Sequence, residues 1–226
     1  MSARVKTFRP SEAIENYAKA IYALEQRGDG AVTNNALAER IGVTPASASS
    51  MVKKLDELGL VTHAPYKGVK LTESGRRVAL EVLRHHRLLE LYLAESLGVP
   101  WDRVHDEAEV LEHVLSEELE ELIAKKLGNP THDPHGDPIP TAALEIEERP
   151  TQALASLPTG AKGVLVRVSD SDPGMLRYLA DLGITPGDRF EVVDRQPFGG
   201  PLFARFHKRV HAFGGELAAA MRVEVS

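Results

Sequence analysis

Two segments of the chain set imidazoles and carboxylates on the apolar stripes of neighbouring helices, and few folds tolerate that. They read H-H-R-L-L-E at 85–90 and H-D-E-A-E-V-L-E-H at 105–113. Residues three and four apart share a helix face. In the first helix Ala79, Val82, Leu83, Leu89, Leu93 and Leu97 form the stripe, and His86 and Glu90 fall on it. In the second, Val104, Ala108, Leu111 and Leu115 make the apolar face. His105, Glu109, Glu112 and His113 line up beside it at i, i+4, i+7 and i+8. An inward carboxylate is costly unless something pairs with it. Imidazoles and carboxylates converging from two helices are the donors a divalent cation requires. A single histidine there would read as an ordinary core side chain beside solvated acids. Six such residues in helical register favour a metal.

With 226 residues the chain has room for two domains or one large one. A net charge of −6 with 42% hydrophobic residues describes a soluble globular protein. It has no apolar run of about 18 residues, so no membrane span or membrane partner is expected. The stretch from Met1 to Pro10 lacks the apolar segment of a signal peptide. Without cysteine there is neither a disulfide nor a thiolate ligand, which removes the Cys-rich zinc modules. A cytoplasmic location is expected. The acidity is uneven: residues 1–77 hold 12 Lys and Arg against 8 Asp and Glu, leaving 15 against 25 for the rest. A basic front on an acidic body can present one face to phosphates.

That front has a matching shape. Ser11 opens a helix running to about Arg27, and Gly28-Asp29-Gly30 ends it. Thr33 to Ile41 reads as a second helix closed by Gly42. Thr44 caps a third, with Pro45 at its first position, running to Gly59. Two short helices about a turn are a helix-turn-helix, the second being the recognition element. Residues 60–63 and 69–72 pair as strands across Pro65-Tyr66-Lys67-Gly68, the wing of a winged helix. Lys53, Lys67 and Lys70 suit phosphate contacts. Thr44, Ser47 and Ser50 near the start of the recognition helix read bases weakly, which leaves DNA shape and thymine methyls to carry much of the preference.

A long helix from Glu73 to about Leu97, another from Trp101 to Leu115 and a third from Ser116 to about Leu127 follow. They carry more apolar surface than one protomer need bury, so a homodimer on a palindromic double-stranded operator is expected. Residues 129–140 hold four prolines and one glycine and form a loop. The spacing of its His132, Asp133, His135 and Asp137 defines no common face, so it reads as an ordered surface loop rather than a site. Residues 141–157 read as a tether. From 158 to 226, alternating strands at 163–168, 188–193, 202–206 and 221–225 surround a short helix at 173–182, implying a small β-barrel. The fold class is α+β, mainly α: a winged helix over 1–75, a helical dimerisation and metal domain over 76–140, the tether, and the barrel.

Taken together, the motifs resemble the diphtheria-toxin-repressor family of metal-dependent transcription factors. They are E-N-Y-A-K-A-I-Y at 15–22, M-V-K-K-L-D at 51–56, H-R-L-L-E at 86–90, V-H-D-E-A-E-V-L-E-H at 104–113 and H-G-D-P-I-P at 135–140. L-A-D-L-G-I-T-P-G-D at 179–188 is similar to the iron-transport barrels fused to many members. The resemblance implies two cation sites. One uses His86, Glu90 and His105 with Asp172 from the barrel, where Met175 stands at a neighbouring family amide position. The other uses Glu109, Glu112 and His113 with Asn16 from the first helix. Position 109 is cysteine in the family's iron regulators. Position 16 is methionine there and aspartate in a manganese subclass, in which a further carboxylate stands where this chain has Lys19. The donors at the second site are thus oxygens and one imidazole.

The reading is a metal-activated, homodimeric DNA-binding repressor and not an enzyme. Mn(II) is the expected cofactor, Fe(II) the alternative, and Co(II), Ni(II) or Zn(II) substitutes in vitro. A metallohydrolase is the rival from another class, but the chain has no H-E-x-x-H and no spare acid to act as base. A metal-independent winged-helix protein would account for the wing and not for the inward His/Glu stripe.

Overall fold

The computed structural model describes residues 10–27, 32–64 and 68–226. The expected Gly28-Asp29-Gly30 stop, the turn at 65–67 and Lys67 lie outside them. The chain divides into two compact units, Met1–His85 with Pro140–Glu145, and His86–Ile139 with Ile146–Ser226.

The first unit is helical with a hairpin. Helices α1 (Glu12–Arg27), α2 (Asn34–Ile41) and α3 (Pro45–Glu57) precede strands β1 (Val61–Ala64) and β2 (Gly68–Leu71). The boundaries follow local chemistry. Thr33 and Thr44 accept the N–H groups of Ala36 and Ser47, satisfying donors that the first turn leaves free. Pro45 occupies the first turn of α3, and Gly42 ends α2 at φ +75°, a left-handed position that costs glycine little. Ile14, Ile21, Leu37, Val52, Leu55, Val61 and Val69 pack as one core. β1 and β2 are antiparallel, with Val61 opposite Leu71. Helix α4 (Glu73–Leu97) begins in this unit.

In the second unit α4 continues and is followed by α5 (Val104–Leu111) and α6 (Glu117–Lys126). The second helix is therefore shorter than the expected 101–115. Arg103 provides no side-chain cap at its start, and the chain tightens into a turn beyond Leu111 before Ser116 caps α6. Leu88, Leu89, Ala108, Leu115, Ile123 and Ile139 form the helical core, whereas Leu97, expected on the stripe, is 63% exposed.

The C-terminal part is a six-stranded antiparallel sheet in the order β3-β8-β4-β5-β6-β7. Its strands are β3 (Gln152–Ala153), β4 (Lys162–Val168), β5 (Arg189–Arg195), β6 (Leu202–Phe206), β7 (Arg209–Phe213) and β8 (Met221–Val225). Helix α7 (Pro173–Leu182) lies between β4 and β5, and α8 (Gly215–Ala220) between β7 and β8. The expected closed barrel is corrected: β3 and β7 are unpaired edges, and β3 is only two residues long, too short to complete a ladder. Strand β7 also carries His211, while His207 sits in the β6–β7 turn at φ +53°.

Candidate metal centre

Helix α4 holds His86 and Glu90 one turn apart on a face turned away from water, 4% and 1% exposed. His86 Nε2 lies 3.0 Å from Glu90 Oε1 and 3.1 Å from Nδ1 of His105, at the start of α5. His105 Nδ1 is in turn 3.3 Å from Glu90 Oε1 and 3.2 Å from Asp170 Oδ2, in the segment between β4 and α7. One donor atom from each of these four residues falls within 4.8 Å of all the others. Donors bound to one ion at about 2.1 Å stand roughly 3.0 Å apart when adjacent, and the separations of 3.0, 3.1, 3.3 and 3.2 Å are of that size.

The electrostatics agree. Burial pushes Glu90 up, but the imidazoles of His105, His135 and His86 outweigh it and hold the carboxyl well below its usual range. Hydrogen bonds with Asp170 and Glu90 raise His105 to about 10 against the effect of its burial. Asp170 is lowered, because the bond from His105 prevails over burial. Protons thus balance the carboxylates here, a role that a divalent cation could also fill.

A second donor group shares His86. Its Nδ1 lies 2.5 Å from Glu112 Oε2 and 3.9 Å from Glu109 Oε1. Glu109 Oε1 is 3.7 Å from His105 Nε2, and Glu112 Oε1 is 3.4 Å from His113 Nε2. Although α5 is bounded at Leu111, Glu112 keeps helical dihedrals and its N–H still reaches the Ala108 carbonyl, so it stays on the face that carries Glu109, and His113 stands in the turn that follows. Asn16 lies on α1, in the other unit; its Oδ1 is buried with no hydrogen-bond partner among the described residues.

Asp172 is not in the cluster. It caps α7, accepting the Gly174 N–H at 2.7 Å, and the carboxylate that reaches His105 is Asp170, two residues earlier in the same S-D-S-D run. An aspartate directly before Pro-Gly opens a helix, which leaves the other one available.

Sequence reasoning also missed the loop before Ile139. Asp133 is 7% exposed and His135 fully buried, so they are not on the surface. Arg87 binds the Asp137 carboxylate and the Pro138 carbonyl, and Arg167 of β4 shares Asp137. Gly136, at φ +86°, runs so close to β4 that a Cβ would meet the Val166 carbonyl oxygen at 1.9 Å. His135 Nδ1 faces Glu90 Oε2 at 3.7 Å. Burial lowers this imidazole, but Glu90 outweighs that and lifts it to about 9. The signal was H-G-D at 135–137, a glycine between polar residues where backbones touch.

Residues 10–69 match the family described as the iron dependent repressor N-terminal DNA binding domain, 72–141 its metal binding and dimerisation domain, and 152–225 the FeoA domain. The iron-dependent repressor IdeR of Mycobacterium tuberculosis (strain H37Rv) is 34% identical over 94% of this chain and 97% of its own length.

The chain belongs to the iron-dependent repressor family.

It is a metal-dependent transcriptional repressor and not an enzyme, which sets aside the metallohydrolase. The diphtheria toxin repressor of Corynebacterium diphtheriae is 31% identical over 81% of this chain and 85% of its own. Among solved structures, a manganese-dependent transcriptional repressor in complex with manganese is 42% identical, with a TM-score of 0.88 over 94% of this chain and all of that one. The manganese regulator SloR is 31% identical, with a TM-score of 0.76 over 94% of this chain and 98% of that one.

In this family member the cap residue Thr44 is exposed, α3 exposes Pro45, Ser47, Ser50 and Lys53, and β2 exposes Lys70. Ser47 Oγ lies 3.0 Å from Thr44 Oγ1, while Ser49 accepts a hydrogen bond from Asn34 on α2 and so is drawn towards the helix pair. Among the described residues no helix is long and apolar enough to cross a membrane.

Proposed function

We propose that this repressor is cytoplasmic, homodimeric and activated chiefly by manganese(II), and that it binds a palindromic operator. The observation that carries the metal assignment is the donor set: His86, Glu90, His105 and Asp170 within 4.8 Å, and Glu109 and Glu112 beside them, with no sulfur. Oxygen-rich sites suit manganese, whereas thiolate and thioether select softer metals. The likeness to a manganese-bound repressor at 42% identity supports the same metal.

The domain plan we propose is a winged helix over 1–75, a dimerisation and metal domain over 76–140, a tether over 141–157 and an SH3-like domain over 158–226. The dimer reading draws on Val110, Val114, Leu119 and Leu122 of the α5–α6 region, 48–74% exposed, an apolar surface that a second copy would cover.

In this reading His86, Glu90, His105 and Asp170 hold one cation, and Glu109, Glu112 and His113 a second. Asn16 is assigned to the second site on its position in the sequence motif alone. The ion supplies the positive charge that lets these carboxylates share one site. Activation is then a population shift: linking the DNA-binding domain to the dimerisation helices favours one spacing of the two recognition helices.

Iron(II) is the second reading, favoured by the identity with IdeR. An anaerobic titration of DNA binding against free manganese(II) and iron(II) decides between them, using a duplex selected by the protein from a random pool. Manganese is expected to activate within its cellular range. Activation by iron(II) at a lower concentration relative to supply would reverse the order.

A further inference from the structure

We propose that Glu90, Asp133 and His135 form a further divalent-cation site, joined through the Glu90 carboxylate to the one at His86, His105 and Asp170. The inference rests on the proposed role of Glu90 in that neighbouring site.

The two oxygens of Glu90 face different partners. Oε1 meets His86 Nε2 and His105 Nδ1, whereas Oε2 meets His135 Nδ1. A carboxylate divided in this way is the bridging ligand of paired cations, which stand about 3.5–4 Å apart.

His135 has the form of a ligand. Its Nε2–H donates to the Trp101 carbonyl at 2.7 Å, which turns Nδ1 towards the acids. Metal-bound histidines commonly spend their other N–H on such a carbonyl. The ring is fully buried, and Nδ1 has no hydrogen-bond partner among the described residues. A polar atom in that position is costly to leave unsatisfied.

The distances favour a shared cation over direct hydrogen bonds. His135 Nδ1 is 3.7 Å from Glu90 Oε2 and 4.0 Å from Asp133 Oδ1. Both exceed the roughly 3.2 Å limit of a good hydrogen bond. Both lie between about 3.0 and 4.2 Å, the separations of two donors on one ion. One donor atom from each of Glu90, Asp133 and His135 falls within 4.8 Å of the other two. Asp133 is held in place, since its Oδ1 accepts the backbone N–H groups of His135 and Asp137. Arg87 lies 3.7 Å from Asp133 Oδ2 but is engaged with Asp137 and the Pro138 carbonyl.

The test is equilibrium dialysis of the full-length protein against manganese(II), with fluorescence of Trp101 recorded in parallel. Trp101 is the sole tryptophan, and its ring stacks on His135 at 5.8 Å between centroids. Asp133→Asn keeps an oxygen for the two N–H donors, and His135→Gln removes the imidazole. Each is expected to bind one manganese fewer per chain than wild type and to lose the matching Trp101 response. His105→Gln should lose the ion on the other side of Glu90. Unchanged stoichiometry and Trp101 response in both Asp133→Asn and His135→Gln would overturn the proposal. Unchanged stoichiometry in His105→Gln would instead overturn the reading of the neighbouring site, and the bridge with it.

Discussion

His86 Nδ1–H donates to Glu112 Oε2 at 2.5 Å while its Nε2 faces Glu90 and His105, so one imidazole ties two donor sets together. In the proposed assignment Glu112 orients the ring that the first site uses and belongs to the second site itself. Glu112→Gln should therefore weaken manganese binding at both, by roughly 10- to 100-fold at the first, where the carboxylate acts only through His86. His113→Ala should spare the first site, abolish metal-dependent DNA binding and leave a folded dimer. Calorimetric manganese titrations of the two variants test this; parallel losses in both would show that His86 does not link the sets.

On the DNA-binding side, exposed Lys70 and the α3 hydroxyls should separate by function. Lys70→Ala is expected to weaken binding to every sequence alike and to reduce the slope of log affinity against log salt by about 1. Ser47→Ala, which also removes the contact with Thr44 Oγ1, should change the ranking of operators with little effect on that slope. Fluorescence anisotropy over a range of salt, with two operators, distinguishes these outcomes. A lysine variant that altered ranking at an unchanged slope would exchange the roles.

Ligand softness can be changed directly. Glu109→Cys with Asn16→Met replaces two residues of the proposed second site by sulfur ligands, and activation should move towards iron(II), cobalt and nickel. Anaerobic DNA binding against each free metal is the measurement. A double variant with the wild-type order of metals would mean that donor softness does not set the response.

Gly136 is a stability prediction of another kind. Alanine there meets the Val166 oxygen and must also hold φ near +86°. The loop would have to move off β4, at an expected cost of about 2 kcal/mol or more. Thermal unfolding followed through Trp101, which packs on the sheet core and stacks on His135, should fall by roughly 5 °C or more. An unchanged midpoint would show that the loop yields freely.

Much of the helical architecture was legible because its signals are local. Thr33, Thr44 and Ser116 each bind an N–H three residues ahead, so the sequence contains both partners of the cap. His86 and Glu90 share a face through helix periodicity alone, which is why the acid and base stripe could be read without coordinates. Hairpin β1–β2 and helix α7 were also placed by the sequence, at 60–63 with 69–72 and at 173–182.

What required the tertiary structure lies far apart in the chain. Asp170 meets His105 from 65 positions away, and the local cap signal at Asp172 says nothing of which imidazole the other aspartate faces. His135 was set aside because a proline-rich loop has no periodicity; it is buried because Gly136 lets the backbone approach β4 and two arginines hold Asp137. The open sheet was likewise hidden, because alternation identifies strands but not which edges pair. Helix faces follow from a repeat of a few residues, so the sequence by itself determined them. The partners that converge on Glu90 depend on how distant segments pack, and only the tertiary structure decided those.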